Sequence, residues 1–403
     1  MLHSCGNEDV INEEKVVTTT VVNPDAVKMQ TVAKLLTGLT TDQRIATEVR
    51  AGIERSLTYG LDEELRFTDI LQPRESKMLR SGDDNLLAES VRNLLNGYNS
   101  TSGLRSSGKE LETFLLNENI QIYWPYSEDW DGKETPVITF DPGTGNADKV
   151  IAYRFVKLPD GTAAIDSFIV DEAYAMEHPV WVINKNDIDY EDLPDFSNGE
   201  YEKNGISYNI PKQGSLPSTQ LRSATDANKV YELTLTKMKA TQQHDDWVNG
   251  GSEFRVVCFF PTTQFGLAKT GIKHVDFTRK EIKKGKEKDI NYIFNYDWSE
   301  DQLHHQFKIW ESDSGSSRDV EIKITTSYTP KDENGNPTGS PISAEFKTTL
   351  SLGSNDDDIM DTVVPRSTFF ATDAYVNATT NRKSFEGRGV TITCEIKTKD
   401  KIN

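Results

Sequence analysis

The 403-residue sequence is poor in the residues and motifs that most often reveal an activity. It contains only 3 cysteines and 6 histidines, and neither type occurs at the local spacing that zinc sites usually show. His304 and His305 are adjacent, but neighbouring side chains of a strand point to opposite faces. The sequence also lacks a Gly-x-Ser-x-Gly elbow, a His-Glu-x-x-His pair and a phosphate-binding loop. These absences exclude the commonest local signatures of serine hydrolases, zinc peptidases and nucleotide-binding proteins.

Basic residues and long apolar runs are scarce as well. The chain has 45 Lys and Arg against 64 Asp and Glu, which gives a formal net charge of −19 at pH 7. Because affinity for phosphates depends on Lys and Arg, we expect no nucleic acid as a partner. No stretch approaches the roughly 18 apolar residues of a membrane-spanning helix. The excess of carboxylates is instead compatible with the binding of a hard cation such as Ca²⁺.

The early part of the chain has the periodicity of helices. Asn23 followed by proline is a typical start of a first helix. Thr40 with Gln43 predicts a capping box for a second helix. Apolar residues at helical spacing predict a third helix that begins near Leu86 and stops at Gly97, and Ser107 begins a short fourth one. These apolar stripes indicate core faces.

Later segments alternate with the period of two that is typical of strands. The middle of the chain has such runs at Gln121–Trp124, Val137–Phe140, Val150–Phe155, Ala164–Val170 and Val180–Ile183. After a long polar stretch, strands recur at the spacing of an all-β sandwich: Val230–Met238, Glu253–Phe260, Val275–Ile282, Asp289–Tyr296, Gln306–Trp310, Val320–Thr326, Ala344–Leu350 and Val390–Ile396. The basic run Arg279–Lys288 is expected to be an exposed strand and turn, and Asp332–Asn336 a hairpin loop.

These patterns predict an α+β multidomain protein with a helical N-terminal segment, a small β-rich middle region and a C-terminal antiparallel β-sandwich. We assign residues 1–22 to a tether, 23–185 to the helical segment and the small β-rich domain, 186–227 to a linker or insertion, and 228–403 to the sandwich. Cys258 and Cys394 could pair in an oxidising compartment or remain two separate buried thiols.

The first nine residues contain a localisation motif. Leu2-His3-Ser4-Cys5 resembles the lipobox of bacterial lipoproteins, with an apolar residue three positions before the cysteine and a small residue directly before it. The acidic stretch Gly6–Asp9 resembles the tether of Bacteroidetes lipoproteins sent to the cell surface. The resemblance implies that Cys5 is the lipid attachment site, that the secretory signal precedes Leu2 in a longer precursor, and that the protein is anchored in the outer membrane, facing the cell surface or periplasm. The alternative is a cytoplasmic protein in which Cys5 has no special role.

Acidic residues cluster beside two predicted strands of the sandwich. One group follows the strand Val230–Met238, and the other follows Gln306–Trp310. This arrangement resembles the first and third calcium loops of C2 domains, where an apolar strand runs into several carboxylates. The resemblance implies a C2-like sandwich with a Ca²⁺ site formed by Asp245, Asp246, Glu253, Glu311, Asp313 and Asp319. The alternative is a sandwich whose acidic loops are merely solvated.

Most of the chain resembles an uncharacterised family of Bacteroidetes surface lipoproteins. The segments that carry this resemblance are Ile120–Pro125, Pro179–Asn184 and a stretch from Asp245 or Asp246 through Phe254. No activity can be transferred from that family. We therefore expect a lipid-anchored binding or structural module, with Ca²⁺ as its candidate cofactor and a glycan or protein as its candidate ligand.

Two further hypotheses remain open. Aromatic residues flanked by aspartates, at Tyr123–Tyr126 and Asp129–Asp131, could form a sugar-binding platform or simply a strand edge and a turn. The competing class of function is a secreted hydrolase of glycans or peptides. Such an enzyme would use carboxylates such as Asp171, Glu172 and Asp187 at the junction of the middle and last domains.

Overall fold

The computed structural model describes residues 23–72, 86–98, 107–144, 147–186, 229–261, 267–298, 302–313, 317–328, 338–340, 342–372, 375–376 and 381–400. Several predictions fall outside these ranges: the lipid site Cys5 with the tether 1–22, nearly all of the linker, Asp187, and the hairpin loop Asp332–Asn336. Two regions separated by the linker are described below, the α/β region (residues 23–186) and the sandwich region (residues 229–400).

The α/β region combines helices with one sheet. Its helices are α1 (Pro24–Leu36), α2 (Gln43–Thr58), α3 (Phe67–Leu71), α4 (Leu86–Gly97), α5 (Gly108–Asn117) and α6 (Glu172–Glu177). Its strands are β1 (Glu64–Arg66), β2 (Ile120–Tyr123), β3 (Val137–Phe140), β4 (Lys149–Lys157), β5 (Ala163–Asp171) and β6 (Val180–Lys185). The four predicted helices are confirmed as α1, α2, α4 and α5.

The capping prediction is right for α5 and wrong for α2. Ser107 and Glu110 form the reciprocal capping box of α5. At α2, however, the cap is Asp42, whose carboxylate accepts a hydrogen bond from the Arg44 amide at 3.0 Å. The Thr40 hydroxyl instead donates to the Thr37 carbonyl within a preceding short 3-10 turn. The nearby aspartate is the stronger acceptor and takes the N-cap position.

The central strands of the six-stranded sheet are covered on both faces. Its order is β1-β2-β6-β3-β4-β5, with β3 and β6 parallel and the other pairs antiparallel. Helices pack on one face, where Val49, Leu111 and Trp181 belong to a common core. On the other face, strand residues pack against Trp247 and Val248, which belong to the sandwich region. Packing of these two side chains joins the two regions through a shared apolar cluster.

The sandwich region is built from antiparallel strands. They are β7 (Lys229–Ala240), β8 (Ser252–Pro261), β9 (Leu267–Lys269), β10 (Lys273–Phe277), β11 (Glu287–Asn295), β12 (His304–Glu311), β13 (Ser317–Tyr328), β14 (Ile342–Gly353), β15 (Asp357–Pro365), β16 (Phe370–Thr372), β17 (Tyr375–Val376), β18 (Arg382–Gly387) and β19 (Val390–Asp400). One sheet has the order β11-β7-β19-β18, and the other has the order β10-β8-β12-β15 with β9 beside β8. Apolar side chains of both sheets, such as Leu235, Phe307 and Ile392, form one core, so the predicted β-sandwich is present.

Two details of this region differ from expectation or decide an open question. Residues 279–284 form a helix, α7 (Arg279–Lys284), where the sequence predicted the end of a strand and a basic turn. A capping box between Thr278 and Glu281 begins this helix, and Gly285 ends it in the left-handed conformation with φ 59°.

Cys258 and Cys394 are both free and fully buried in the same core.

Candidate metal centre at the junction of the two regions

Three acidic side chains meet at one end of the sandwich. Asp245 lies in the loop between β7 and β8, called here the junction loop (residues 241–251), while Glu311 ends β12 and Asp313 follows it. Because β8 and β12 are antiparallel neighbours, with Glu311 opposite Phe254, the end of β12 lies beside the start of β8. One carboxylate oxygen from each of the three acids lies within 4.8 Å of the others.

The centre of this cluster is buried and incompletely bonded. The Glu311 side chain is 0% exposed, and its Oε1 accepts a hydrogen bond from the Glu253 amide at 3.2 Å. Its Oε2 is buried without a hydrogen-bond partner in the part of the chain that the structure describes, and the same holds for Asp245 Oδ2. An unpartnered buried carboxylate oxygen is costly, so this arrangement calls for a cation or a proton.

The pKa values of the three acids reflect their burial and the repulsion between their charges. Burial, with repulsion from Asp313, raises the pKa of Glu311 to about 7. Burial and then the neighbouring Glu311 raise the pKa of Asp245 well above its ordinary value. The pKa of Asp313 is raised by burial and by two further aspartates, Asp356 and Asp357. A divalent cation among these groups would offset their repulsion and keep them ionised.

Backbone contacts hold the loop that carries Asp313. The Asp313 amide donates to Asp356 Oδ1 at 2.9 Å, and the Gly353 amide donates to the other oxygen of the same carboxylate at 2.7 Å. The amide of Ser312 donates to the Glu253 carbonyl at 2.9 Å. Asp356 therefore positions the Asp313 loop from outside the cluster, a role that the sequence analysis did not predict.

The other predicted ligands lie outside this three-residue group. Asp246 Oδ2 accepts a hydrogen bond from the Ala147 amide at 3.1 Å, so this carboxylate faces the α/β region. Asp319 is exposed on β13 and accepts a hydrogen bond from Ser351 Oγ at 2.9 Å. Glu253 is close enough to raise the pKa of Asp245, but it contributes its backbone rather than its carboxylate to the contacts described above.

The junction loop contacts the α/β region directly. Trp247 Nε1 donates to the Ala147 carbonyl at 2.9 Å, and Asn184 Nδ2 donates to the Val248 carbonyl at 2.9 Å. The Gly251 amide donates to the buried carboxylate of Asp62 at 2.7 Å. The loop that supplies Asp245 is thus held by both regions.

The carboxylates of the hydrolase hypothesis are placed differently. Asp171 caps α6 by accepting a hydrogen bond from the Tyr174 amide. Glu172 Oε1 accepts hydrogen bonds from Tyr126 Oη and from Arg279 Nε, both at 2.7 Å. Although burial opposes it, the interaction with Arg279 lowers the pKa of Glu172. Glu172 is therefore an ionised partner in an ion pair, which is the opposite of what a general acid requires.

Comparisons with models of protein families, with curated proteins and with solved structures found no match for this chain. Across the described ranges, no helix combines the length and the apolar character that a membrane crossing requires. The functional argument therefore depends on the geometry of the chain itself, and above all on the three carboxylates at the junction.

Proposed function

We propose that this protein is a Ca²⁺-dependent binding or structural module with a C2-like sandwich, anchored in the outer membrane through a lipid on Cys5 and facing the cell surface or periplasm. One observation carries the calcium part of the proposal. Glu311 is fully buried, one of its carboxylate oxygens lies within 4.8 Å of oxygens of Asp245 and Asp313, and its Oε2 receives no hydrogen bond from the described residues. Such an oxygen is a ligand for a hard cation.

The ligand type and the spacing favour Ca²⁺. All three side chains offer oxygen, which suits Ca²⁺ and Mg²⁺ better than zinc or copper. Two oxygens on opposite sides of one Ca²⁺ are at most about 5.2 Å apart, since each lies about 2.3–2.6 Å from the ion. The separations of up to 4.8 Å fit that limit. Mg²⁺ demands a stricter octahedron at about 2.0–2.1 Å and gives up its water reluctantly.

Protons should compete with the cation. Calcium needs ionised ligands, and the pKa of Glu311 is about 7 without an ion. Binding of Ca²⁺ near neutral pH would therefore release protons. Water and backbone carbonyls would complete the coordination, because Ca²⁺ takes about six to eight oxygens.

The experiment that tests this proposal is thermal unfolding of the metal-free protein with added Ca²⁺ or Mg²⁺. We expect millimolar Ca²⁺ to raise the Tm, corresponding to about 2.7 kcal/mol at a hundredfold excess over Kd. Mg²⁺ should raise it less. If both ions raise the Tm by the same small amount, and Glu311→Gln shows the same rise, the effect is nonspecific screening. That result would contradict the proposal.

A further inference from the structure

A second candidate site lies on the α/β region, in a cleft of about 470 Å³. The cleft is formed between the turn after β2 and the C-terminal end of α6. Its aromatic lining consists of Trp124, Tyr126, Trp130 and His178. Its charged residues include Asp131 and Glu134. None of the three carboxylates of the metal centre lines it. The volume is within the range of small-molecule sites, about 300–1,000 Å³.

The aromatic wall is fixed by its own neighbours. Trp130 is half-buried and packs on the buried Trp124, with 5.1 Å between ring centroids. Its Nε1 donates to the Glu134 carbonyl at 2.8 Å. On the other wall, the His178 ring stacks on Tyr174 at 4.4 Å. Because these rings are already held in place, a ligand that stacks on them would lose little affinity to ordering the site.

The turn that carries Trp130 is also held in an uncommon conformation. Tyr126 has φ 59° and ψ 24°, a left-handed geometry that is unfavourable for a bulky residue. The buried carboxylate of Glu63 accepts hydrogen bonds from the amides of Tyr126 at 3.2 Å and Ser127 at 2.8 Å. A buried acid thus stabilises the turn that sets the shape of the cleft.

Several polar side chains around the cleft lie in pairs of a donor and an acceptor. Lys133 lies 3.0 Å from Asp131, and His178 Nδ1 lies 2.8 Å from Glu134 Oε1. Lys280 lies 2.6 Å from Asp129. Each pair places a hydrogen-bond acceptor beside a donor, which matches a hydroxyl group because a hydroxyl both donates and accepts. Glu177 also lines the cleft, so carboxylates outnumber lysines among its lining residues.

We propose that this cleft binds a neutral saccharide, with one pyranose ring stacked on Trp130 and its hydroxyls bonded to the charged pairs of the rim. Stacking on an aromatic ring suits the apolar C–H face of a sugar, and the paired charges suit its hydroxyls. An organic cation would also suit aromatic rings, but Lys133 and Lys280 place positive charge beside two of the acids. The proposal does not depend on the metal centre.

Isothermal titration of the whole protein with cellohexaose, maltohexaose, xylohexaose and mannohexaose tests the proposal. We expect at least one of these neutral glucans, xylans or mannans to bind, with the same affinity in EDTA and in Ca²⁺. Trp130→Ala should weaken binding about tenfold, a loss of about 1.4 kcal/mol. Tyr296→Ala, which removes an aromatic ring that is 49% exposed on the sandwich region, should leave it unchanged.

A second variant keeps the test valid if Trp130→Ala fails to fold. The Glu134 side chain is 49% exposed, so Glu134→Gln should keep the Tm while weakening saccharide binding severalfold. Binding that is unaffected by either substitution would overturn the proposal. So would binding of tetramethylammonium at the cleft together with no response to any of the four saccharides, which would identify a site for organic cations.

Discussion

The guanidinium of Arg279 and the carboxylate of Glu172 form an ion pair between the two regions, with 2.7 Å between Nε and Oε1. Arg279 also donates from Nη1 to the carbonyls of Asp245 at 3.1 Å and Gly250 at 3.0 Å. One buried side chain therefore connects α6 of the α/β region with the loop that supplies a candidate metal ligand. Its position follows from α7, because Arg279 is the first residue of that helix.

Replacing Arg279 should loosen the junction. Arg279→Ala would leave two carbonyls without this donor and Glu172 with Tyr126 Oη but without its basic partner. Because Glu172 is partly exposed, we expect a loss of about 2–3 kcal/mol in the free energy of unfolding. Urea denaturation measures this loss. Lys286→Ala is a suitable control, since Lys286 is exposed and its partner Glu281 keeps a second ion pair with Lys288. Equal stabilities of the two variants would contradict the role given to Arg279.

A substitution at Asp62 should change the pH dependence of stability. Burial raises the pKa of Asp62 from 3.8 to about 6 in the folded protein. As the pH rises, Asp62 therefore loses its proton at a lower pH in the unfolded state than in the folded state. The stability that Asp62 contributes is complete below about pH 4 and is lost as the pH rises through about 6. Asp62→Asn removes this loss and keeps an acceptor for the Gly251 amide.

The Tm difference between Asp62→Asn and the unaltered protein should therefore grow in favour of the variant between pH 4 and pH 7. The limit is about 3 kcal/mol, from about 1.4 kcal/mol for each unit of pKa difference. Thermal unfolding in a series of buffers, without added calcium, measures the effect. Parallel curves for the two proteins would mean that Asp62 does not titrate in this range.

Gly353 provides a test of how the Asp313 loop is held. A Cβ added at Gly353 would overlap Asp356 Oδ1 and lie 2.9 Å from the Asp313 carbonyl. Gly353→Ala should therefore lower the free energy of unfolding by about 1–3 kcal/mol and reduce the Tm rise caused by Ca²⁺. Gly339→Ala is the matched control, because no atom lies within 4 Å of the corresponding Cβ position. An undiminished rise in Tm with Ca²⁺ in Gly353→Ala would show that ion binding does not depend on how this loop is held.

The lipid anchor on Cys5 remains a prediction that is tested in cells. When the full precursor is expressed, the protein should incorporate labelled palmitate and enter the detergent phase on partitioning. Cys5→Ala should abolish both. Membrane association of the variant equal to that of the parent would show that Cys5 does not anchor the protein.

The sequence predicts most local structure where caps and periodicity agree, as they do for α1 and α5. It fails at residues 279–284 because the apolar pattern of a strand continues into Ile282, while the Thr278–Glu281 capping box favours a helix. The strand β15 was not predicted because acidic residues occupy much of it and its burial comes from pairing with β12. Such burial depends on distant residues and leaves only a weak local pattern.

The candidate metal site is also predictable only in part from the sequence. Acids that follow apolar strands indicated the right end of the sandwich, and three of the six proposed ligands lie together. The sequence could not choose between Asp245 and Asp246, since adjacent side chains of a loop take directions set by tertiary contacts. It also included Asp319, which register places opposite Ser351 on the β13–β14 ribbon. Asp356 was not predicted because its contact with the Asp313 amide joins residues that are distant in the sequence.

Calorimetric titration with Ca²⁺ of metal-free protein, compared with Asp313→Asn and Asp319→Asn, tests the central claim most directly. Both substitutions remove one negative charge, but only Asp313 offers an oxygen to the buried cluster. We predict one Ca²⁺ per chain, at least tenfold weaker binding in Asp313→Asn, and unchanged binding in Asp319→Asn. Absence of binding by the unaltered protein, or equal affinity in Asp313→Asn, would contradict a calcium centre at this junction.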